Sequence, residues 1–98
     1  MNKIYETNLF KKILLNLSKD EKIRIEKIKT QLAHCLNFGK PLGFRWFREK
    51  KLKEKRIYFL INFKTRKVLF VAISTKKKQQ EMINFILKNK ERFLRIIN

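Results

Sequence analysis

The chain is poor in residues that interrupt regular structure: 98 residues include two glycines and one proline. Tight turns should therefore be few and the elements long. A single cysteine, Cys35, excludes an internal disulfide and any zinc site built on cysteine, and it suits a reducing compartment. Acidic residues are equally scarce, with 8 Asp+Glu against 26 Lys+Arg and a net charge of +18. Paired carboxylates, a P-loop, a glycine-rich dinucleotide turn and a metal-ligand cluster are all missing. No cofactor or metal is expected on that basis. No apolar run approaches the length of a membrane span, and the opening MNKIYETNLFKK has no signal-peptide core. The expectation is a cytoplasmic protein with no membrane partner.

What the chain does have is apolar mass. Hydrophobic residues make up 44%, among them nine Phe, two Tyr and one Trp, enough for one domain over residues 1–98. Positive charge on this scale favours a polyanionic partner, with nucleic acid first and an acidic protein second. A compositional bias towards Lys, Ile and Asn would account for part of the lysine count but not for the imbalance. The charge is also uneven: residues 1–38 carry 8 basic and 4 acidic residues, and residues 39–98 carry 18 and 4. The second part is where a polyanion would bind.

Hydrophobic spacing orders the elements. Residues 2–6 form a short strand. Leu9, Phe10, Ile13, Leu14 and Leu17 then fall on one helical face, and Ser18 with Glu21 has capping-box spacing for a second helix through Ile25, Ile28 and Leu32. The two helices form a hairpin. NFGKPLG (37–43) breaks the pattern, and strands follow at about 43–50, 55–64 and 67–74, joined by turns short enough to require antiparallel pairing. Along the middle strand Ile57, Phe59, Ile61 and Phe63 alternate with Arg56, Tyr58, Leu60, Asn62 and Lys64. This is the pattern of a sheet covered by helices on one face. Residues 76–97 read as a last helix with Ile83, Ile86, Leu87, Leu94 and Ile97 inward, its final turns projecting past KNKER. The fold class is α+β: an N-terminal helical hairpin on one face of a small antiparallel sheet of three to four strands, then a C-terminal helix.

Candidate chemistry is cationic. His34, alone at a helix end, reads as a residue suited to the negative C-terminal dipole, and Cys35 as a small buried hydrophobe. Between Lys40 and Arg56, eight cations interleave with Phe44, Trp46 and Phe47, followed by Tyr58. Arginine forks suit phosphate and aromatic rings stack on unpaired bases, although a charged hairpin is equally a solvated edge guarded against aggregation. Antiparallel pairing brings Arg56 towards STKKKQQ (74–80), where Ser74 or Thr75 would cap the last helix. Arg48 is expected across the KKLKE turn from Arg56, at the same end. Lys76, Lys77 and Lys78 load the positive end of a helix with more positive charge, an arrangement that makes sense as an anion site.

These elements resemble the RelE/ParE toxin superfamily of toxin–antitoxin modules, and its archaeal RelE-like branch most. The resemblance runs over about residues 3–88: the hairpin LFKKILLNLSKDEKIRIEKIKTQL, the GKPLG lead-in to the sheet, FREK…KRIYFLI, and VLFVAIS followed by lysines, a glutamine pair and a terminal helix. It implies ribosome-dependent mRNA cleavage, with a non-catalytic RNA-binding or ribosome-associated protein and a ParE-like gyrase inhibitor as the alternatives. The implied partners are RNA (messenger and ribosomal), the ribosome and an acidic antitoxin. It also implies that Arg56, Lys77 and Arg48 act on the scissile phosphate. Lys76, Lys78, Arg45, Lys51, Lys53, Trp46 and Gln80 are the expected RNA contacts. The family's C-terminal tyrosine would fall near Ile83 and is absent.

Overall fold

The computed structural model describes residues 1–98, and its order follows from local signals that are mostly legible. Strand β1 (Lys3–Glu6) ends at Thr7, whose hydroxyl accepts from the Phe10 amide at 3.0 Å and so starts helix α1 (Asn8–Leu15). The same hydroxyl donates to the Val71 carbonyl at 2.7 Å, tying the helix start to the sheet. Ser18 opens helix α2 (Lys19–His34) with a complete capping box: the Glu21 amide donates to Ser18 Oγ at 3.1 Å and the Ser18 amide to Glu21 Oε1 at 3.0 Å. Lys55 reaches the same carboxylate at 3.0 Å. The Ser18 backbone bond, followed by Lys55, holds the Glu21 carboxyl below its usual range.

Gly39 then brings the chain over the sheet at φ +86°, where a Cβ would stand 2.7 Å from the Phe59 ring. Strand β2 (Lys40–Pro41) is a two-residue edge strand, a position where proline costs no ladder bond. Strands β3 (Phe47–Leu52), β4 (Lys55–Asn62) and β5 (Lys67–Thr75) form the antiparallel meander. Asn62 shapes the turn before β5 by accepting from the Lys64 and Thr65 amides at 2.9 and 3.0 Å. A 3₁₀ turn (Lys76–Lys78), helix α3 (Gln79–Lys88) and helix α4 (Lys90–Ile96) complete the chain.

The sheet order is β1-β5-β4-β3-β2, with β1 parallel to β5 and the other pairs antiparallel. The α+β class and the hairpin on one face stand as expected, but the sheet has five strands and is mixed. Local pattern gives no signal for the parallel β1–β5 pairing. The strand expected at 43–50 begins at Phe47, because Phe44–Phe47 is a turn closed by a bond from the Phe47 amide to the Phe44 carbonyl at 3.2 Å.

Helices also cover both faces rather than one. Phe10, Ile25, Ile28 and Leu32 pack with Ile57, Phe59, Ile61, Val68 and Phe70 on the first face. Tyr58, Leu60, Leu69, Val71 and Ala72 pack with Ile86, Phe93 and Ile97 on the second. The second face reads as mixed only because Arg56 and Asn62 sit towards the ends of the strand and Lys64 lies in the turn beyond it. The C-terminal turns do not project either. The helix breaks at Asn89, and α4 folds back with Phe93 and Ile97 buried, while Thr65 Oγ1 donates to the Ile97 carbonyl at 2.7 Å. No helix is long and apolar enough to cross a membrane.

Candidate nucleic-acid interface

Register assembles a cationic cluster at one end of the meander. Arg56 pairs with Lys51 on one side and Ser74 on the other, and the Lys76 amide donates to the Glu54 carbonyl at 2.9 Å. That bond ties the lysine turn to the β3–β4 turn. Lys51, Lys53, Lys76, Lys77 and Lys78 are all exposed around this end. None has a carboxylate partner, since the ion pairs in the molecule use only Lys29 and Lys55.

Arg56 differs from these lysines in being fixed. It is only 6% exposed, and its Nη1 donates to the Lys53 and Lys55 carbonyls at 3.3 and 2.9 Å. Its Nε and Nη2 have no acceptor within the chain, yet neither is sealed from solvent. A planar fork is thus clamped by one nitrogen and offers the others outward, a geometry suited to phosphate oxygens.

Beneath it lies a polar layer that the sequence pattern does not announce. Tyr58 OH and Ser74 Oγ are 2.8 Å apart, and Ser74 Oγ donates to the Thr75 carbonyl at 3.0 Å. Ser74 has one proton, so Tyr58 is the donor between the two. Burial pushes the Tyr58 hydroxyl above its ordinary pKa. Ser74 therefore faces inward and does not cap a helix, and no side chain caps the lysine turn. Glu49, directly across from Tyr58, is 6% exposed and accepts from Gln79 Nε2. Gln79 is the glutamine that points into the cluster, whereas Gln80 donates to Asn84 Oδ1 on the exposed face of α3. Strand alternation is the signal that could have picked out Glu49 as inward.

The other expected residues lie elsewhere. Arg48 pairs with Phe59, not Arg56, and so belongs to the opposite face of the sheet. The two-residue turn after Leu52 makes Lys51 the partner of Arg56. Arg48 Nε donates to the Arg45 carbonyl at 2.8 Å, and Nη1 meets Asn37 Oδ1, the Phe38 carbonyl and the Gly39 carbonyl at 3.1 to 3.3 Å. Burial first, and Arg45 second, lower its pKa from the ordinary arginine value. Arg45 stacks on Phe63 at 3.8 Å, and Trp46 lies beside Ile61 at the far end of β4. Five residues of strand separate Ile61 from Arg56, about 17 Å at ~3.3 Å per residue. Cys35 is exposed, not buried as expected, because α2 ends at His34 and leaves it at the C-cap.

In chemical terms, the Arg56 end can hold a phosphodiester and stabilise the extra negative charge of a pentacoordinate phosphorus. Glu49 is the one buried carboxylate next to it. Tyr58 is sealed and acts by holding Ser74. Beside the cluster an open groove of about 540 Å³ runs between α1 and α3, lined by Leu9, Ile73, Met82 and Phe85 with Lys78 and Glu81.

No protein-family model matches the sequence, and no curated protein sequence does. Solved structures do match by shape. The toxin of the intact E. coli RelBE toxin–antitoxin complex superposes with a TM-score of 0.67 at 11% identity, over 76% of this chain and 96% of that one. E. coli RelE carrying two arginine-to-alanine substitutions, bound to a peptide of the antitoxin RelB, gives 0.68 at 11% identity over 83% and 93%. Isolated E. coli RelE gives 0.67 at 12% identity over 88% and 99%. At such identities the likeness is one of fold, and the chain has a RelE-like toxin fold.

Proposed function

We propose that this RelE-like chain is a toxin that acts on RNA by ribosome-dependent mRNA cleavage, with the phosphate held at the Arg56 end of the sheet. One observation carries the reading. Arg56 is clamped through Nη1, keeps Nε and Nη2 free, and stands among exposed lysines without carboxylate partners. In this reading Arg56 and Lys77 stabilise the charge that builds up on the phosphate. Lys51, Lys53, Lys76 and Lys78 position the strand. Two of the E. coli structures compared hold RelE with its antitoxin or an antitoxin peptide, and here a net charge of +18 suits an acidic antitoxin.

A non-catalytic RNA-binding role is the second reading. It is favoured by Ile83 at the position where the toxin family carries tyrosine, and by the bond that already occupies Glu49. The two are separated by an in vitro translation reaction followed by primer extension. Cleavage predicts new 5′ ends on the message with the wild type and none with Arg56→Ala. A message left whole by the wild type, together with unchanged translation, overturns the first reading. Retention of the protein on RNA in that case supports the second.

A further inference from the structure

The far end of the sheet carries a feature that the Arg56 cluster does not use. The turn Phe44–Phe47 presents a ladder of three rings. Phe47 is fully buried; Trp46 stacks on it with centroids 5.9 Å apart; Phe44 stacks on Trp46 at 4.9 Å. Phe44 remains 41% exposed, so the ladder holds an open aromatic ring fixed to the core. An exposed ring with no anchor would be an ordinary surface residue. Here it is backed by two stacked rings and has a cation beside it.

Lys90 Nζ stands 5.8 Å from the Phe44 centroid, and Arg45 Cζ lies over the Phe63 ring at 3.8 Å. Arg45, Trp46, Phe63 and Leu94 line an open groove of about 320 Å³, near the lower limit of ligand pockets and too shallow to enclose a molecule. Lys90 in turn shares a second surface groove with Lys88, Arg92 and Arg95. None of these cations has a carboxylate partner.

We propose that the Phe44–Trp46 turn is a base-stacking platform for single-stranded RNA, with the neighbouring phosphates taken by Arg45 and Lys90. The proposal rests on the RNA reading given above but not on cleavage. Fixed aromatic faces beside cations are how sequence-tolerant single-strand binding works, because every base offers a π-face. Duplex RNA keeps its bases stacked inside and cannot use such a platform. At about 17 Å from the Arg56 end, by strand rise, the platform engages the same strand away from the phosphate held there.

Trp46 is the only tryptophan, so its emission reports this site alone. The experiment titrates oligouridylate, the matching RNA duplex and heparin into the full chain at physiological salt, following Trp46 fluorescence. Oligouridylate should quench the emission to saturation, with duplex and heparin quenching much less. Phe44→Ala should weaken oligouridylate binding about 5- to 150-fold, the range for one lost base stack. Equal quenching by heparin, no quenching by oligouridylate, or unchanged affinity in Phe44→Ala each overturns the platform. Saturable oligouridylate quenching by a protein that leaves translation untouched keeps the platform and overturns only the cleavage reading.

Discussion

Arg48 and Arg56 stand on neighbouring strands, both nearly buried at 3% and 6% exposure, and neither has a carboxylate partner. One is structure and the other is available for chemistry. Arg48 distributes its donors over four acceptors, and these bonds stitch the loop around Asn37–Gly39 and the Arg45 turn onto β3. Arg56 gives its turn one nitrogen and leaves the rest free. Burial of an arginine therefore says little about its role; what distinguishes a site is donor capacity that the fold leaves unused.

The sharpest test replaces Arg56. If the proposed cleavage is its activity, Arg56→Ala should lower the rate about 100- to 1,000-fold, as expected when a preorganised donor to transition-state charge is removed. Its stability should fall by only about 1 kcal/mol, because two carbonyls of an exposed turn regain water. Arg56→Lys should not restore the rate, since a point charge lacks the planar fork. Primer-extension kinetics and urea unfolding read the two quantities separately. A large stability loss with cleavage unchanged per folded molecule would make Arg56 another Arg48.

Arg48→Ala should invert that pattern. Removing the guanidinium leaves Asn37 Oδ1 and three carbonyls without their donor, at a cost of about 2–3 kcal/mol of stability, read from urea unfolding. Cleavage per folded molecule should stay within a factor of two or three of wild type, a margin of about 0.6 kcal/mol. If Arg48→Ala kept its stability and lost activity, the contrast between the two arginines would collapse.

Why the sequence suggested that these residues form one cluster is instructive. Antiparallel pairing across short turns brings Arg56 to Ser74 and the lysines, and composition and spacing identify the helical hairpin and the meander, because these rest on local periodicity. Register does not. A shift in the pairing moved the partner of Arg56 from Arg48 to Lys51, and with it Arg48 to the other face. Glu49 stands among lysines along the chain, yet strand alternation turns it inward beside Tyr58. Phe93 is absent from the expected stripe although it stands seven residues after Ile86 and four before Ile97, on the same helical face, and the structure buries it. The lysines of STKKKQQ were placed in the first turn of an α-helix, but the Ser74 hydroxyl is bonded to Tyr58 and Thr75. Without a cap the chain takes a 3₁₀ turn first. Each miss is a long-range contact overriding a local preference.

The polar layer under Arg56 gives a smaller effect with a distinct signature. Tyr58→Phe removes the hydroxyl that donates to Ser74 and should cost about 1 kcal/mol. Because burial raises the Tyr58 pKa in the folded state, the native form holds its proton longer than the unfolded chain does. Stability is then fully present below the ordinary tyrosine range and falls as pH rises through it towards the folded value. Urea midpoints measured into the alkaline range should drop more steeply in wild type than in Tyr58→Phe. Parallel curves would mean that Tyr58 titrates freely and that the layer beneath Arg56 is open.

The smallest contrast is between two lysines next to Arg56 along the chain and across the strands. Lys51 is exposed and unpaired, and Lys55 is bound to Glu21 at 3.0 Å on the other face of the sheet. If the Arg56 end holds RNA, Lys51→Gln should reduce the salt slope of binding by about 0.7, the value for one phosphate contact on a single strand. Lys55→Gln should leave that slope alone and cost about 0.5 kcal/mol of stability, since a partly exposed ion pair contributes little. It should also change the acid limb. Glu21 has a lowered folded pKa, so its contribution is present above the ordinary glutamate range and disappears as pH falls through the folded value. Losing Lys55 removes part of that lowering, the Ser18 bond supplying the rest, so the acid decline should be smaller and should finish at a higher pH. Equal salt slopes in the two variants would mean that RNA does not distinguish the paired lysine from the free one, and that charge alone, not the arrangement around Arg56, directs binding.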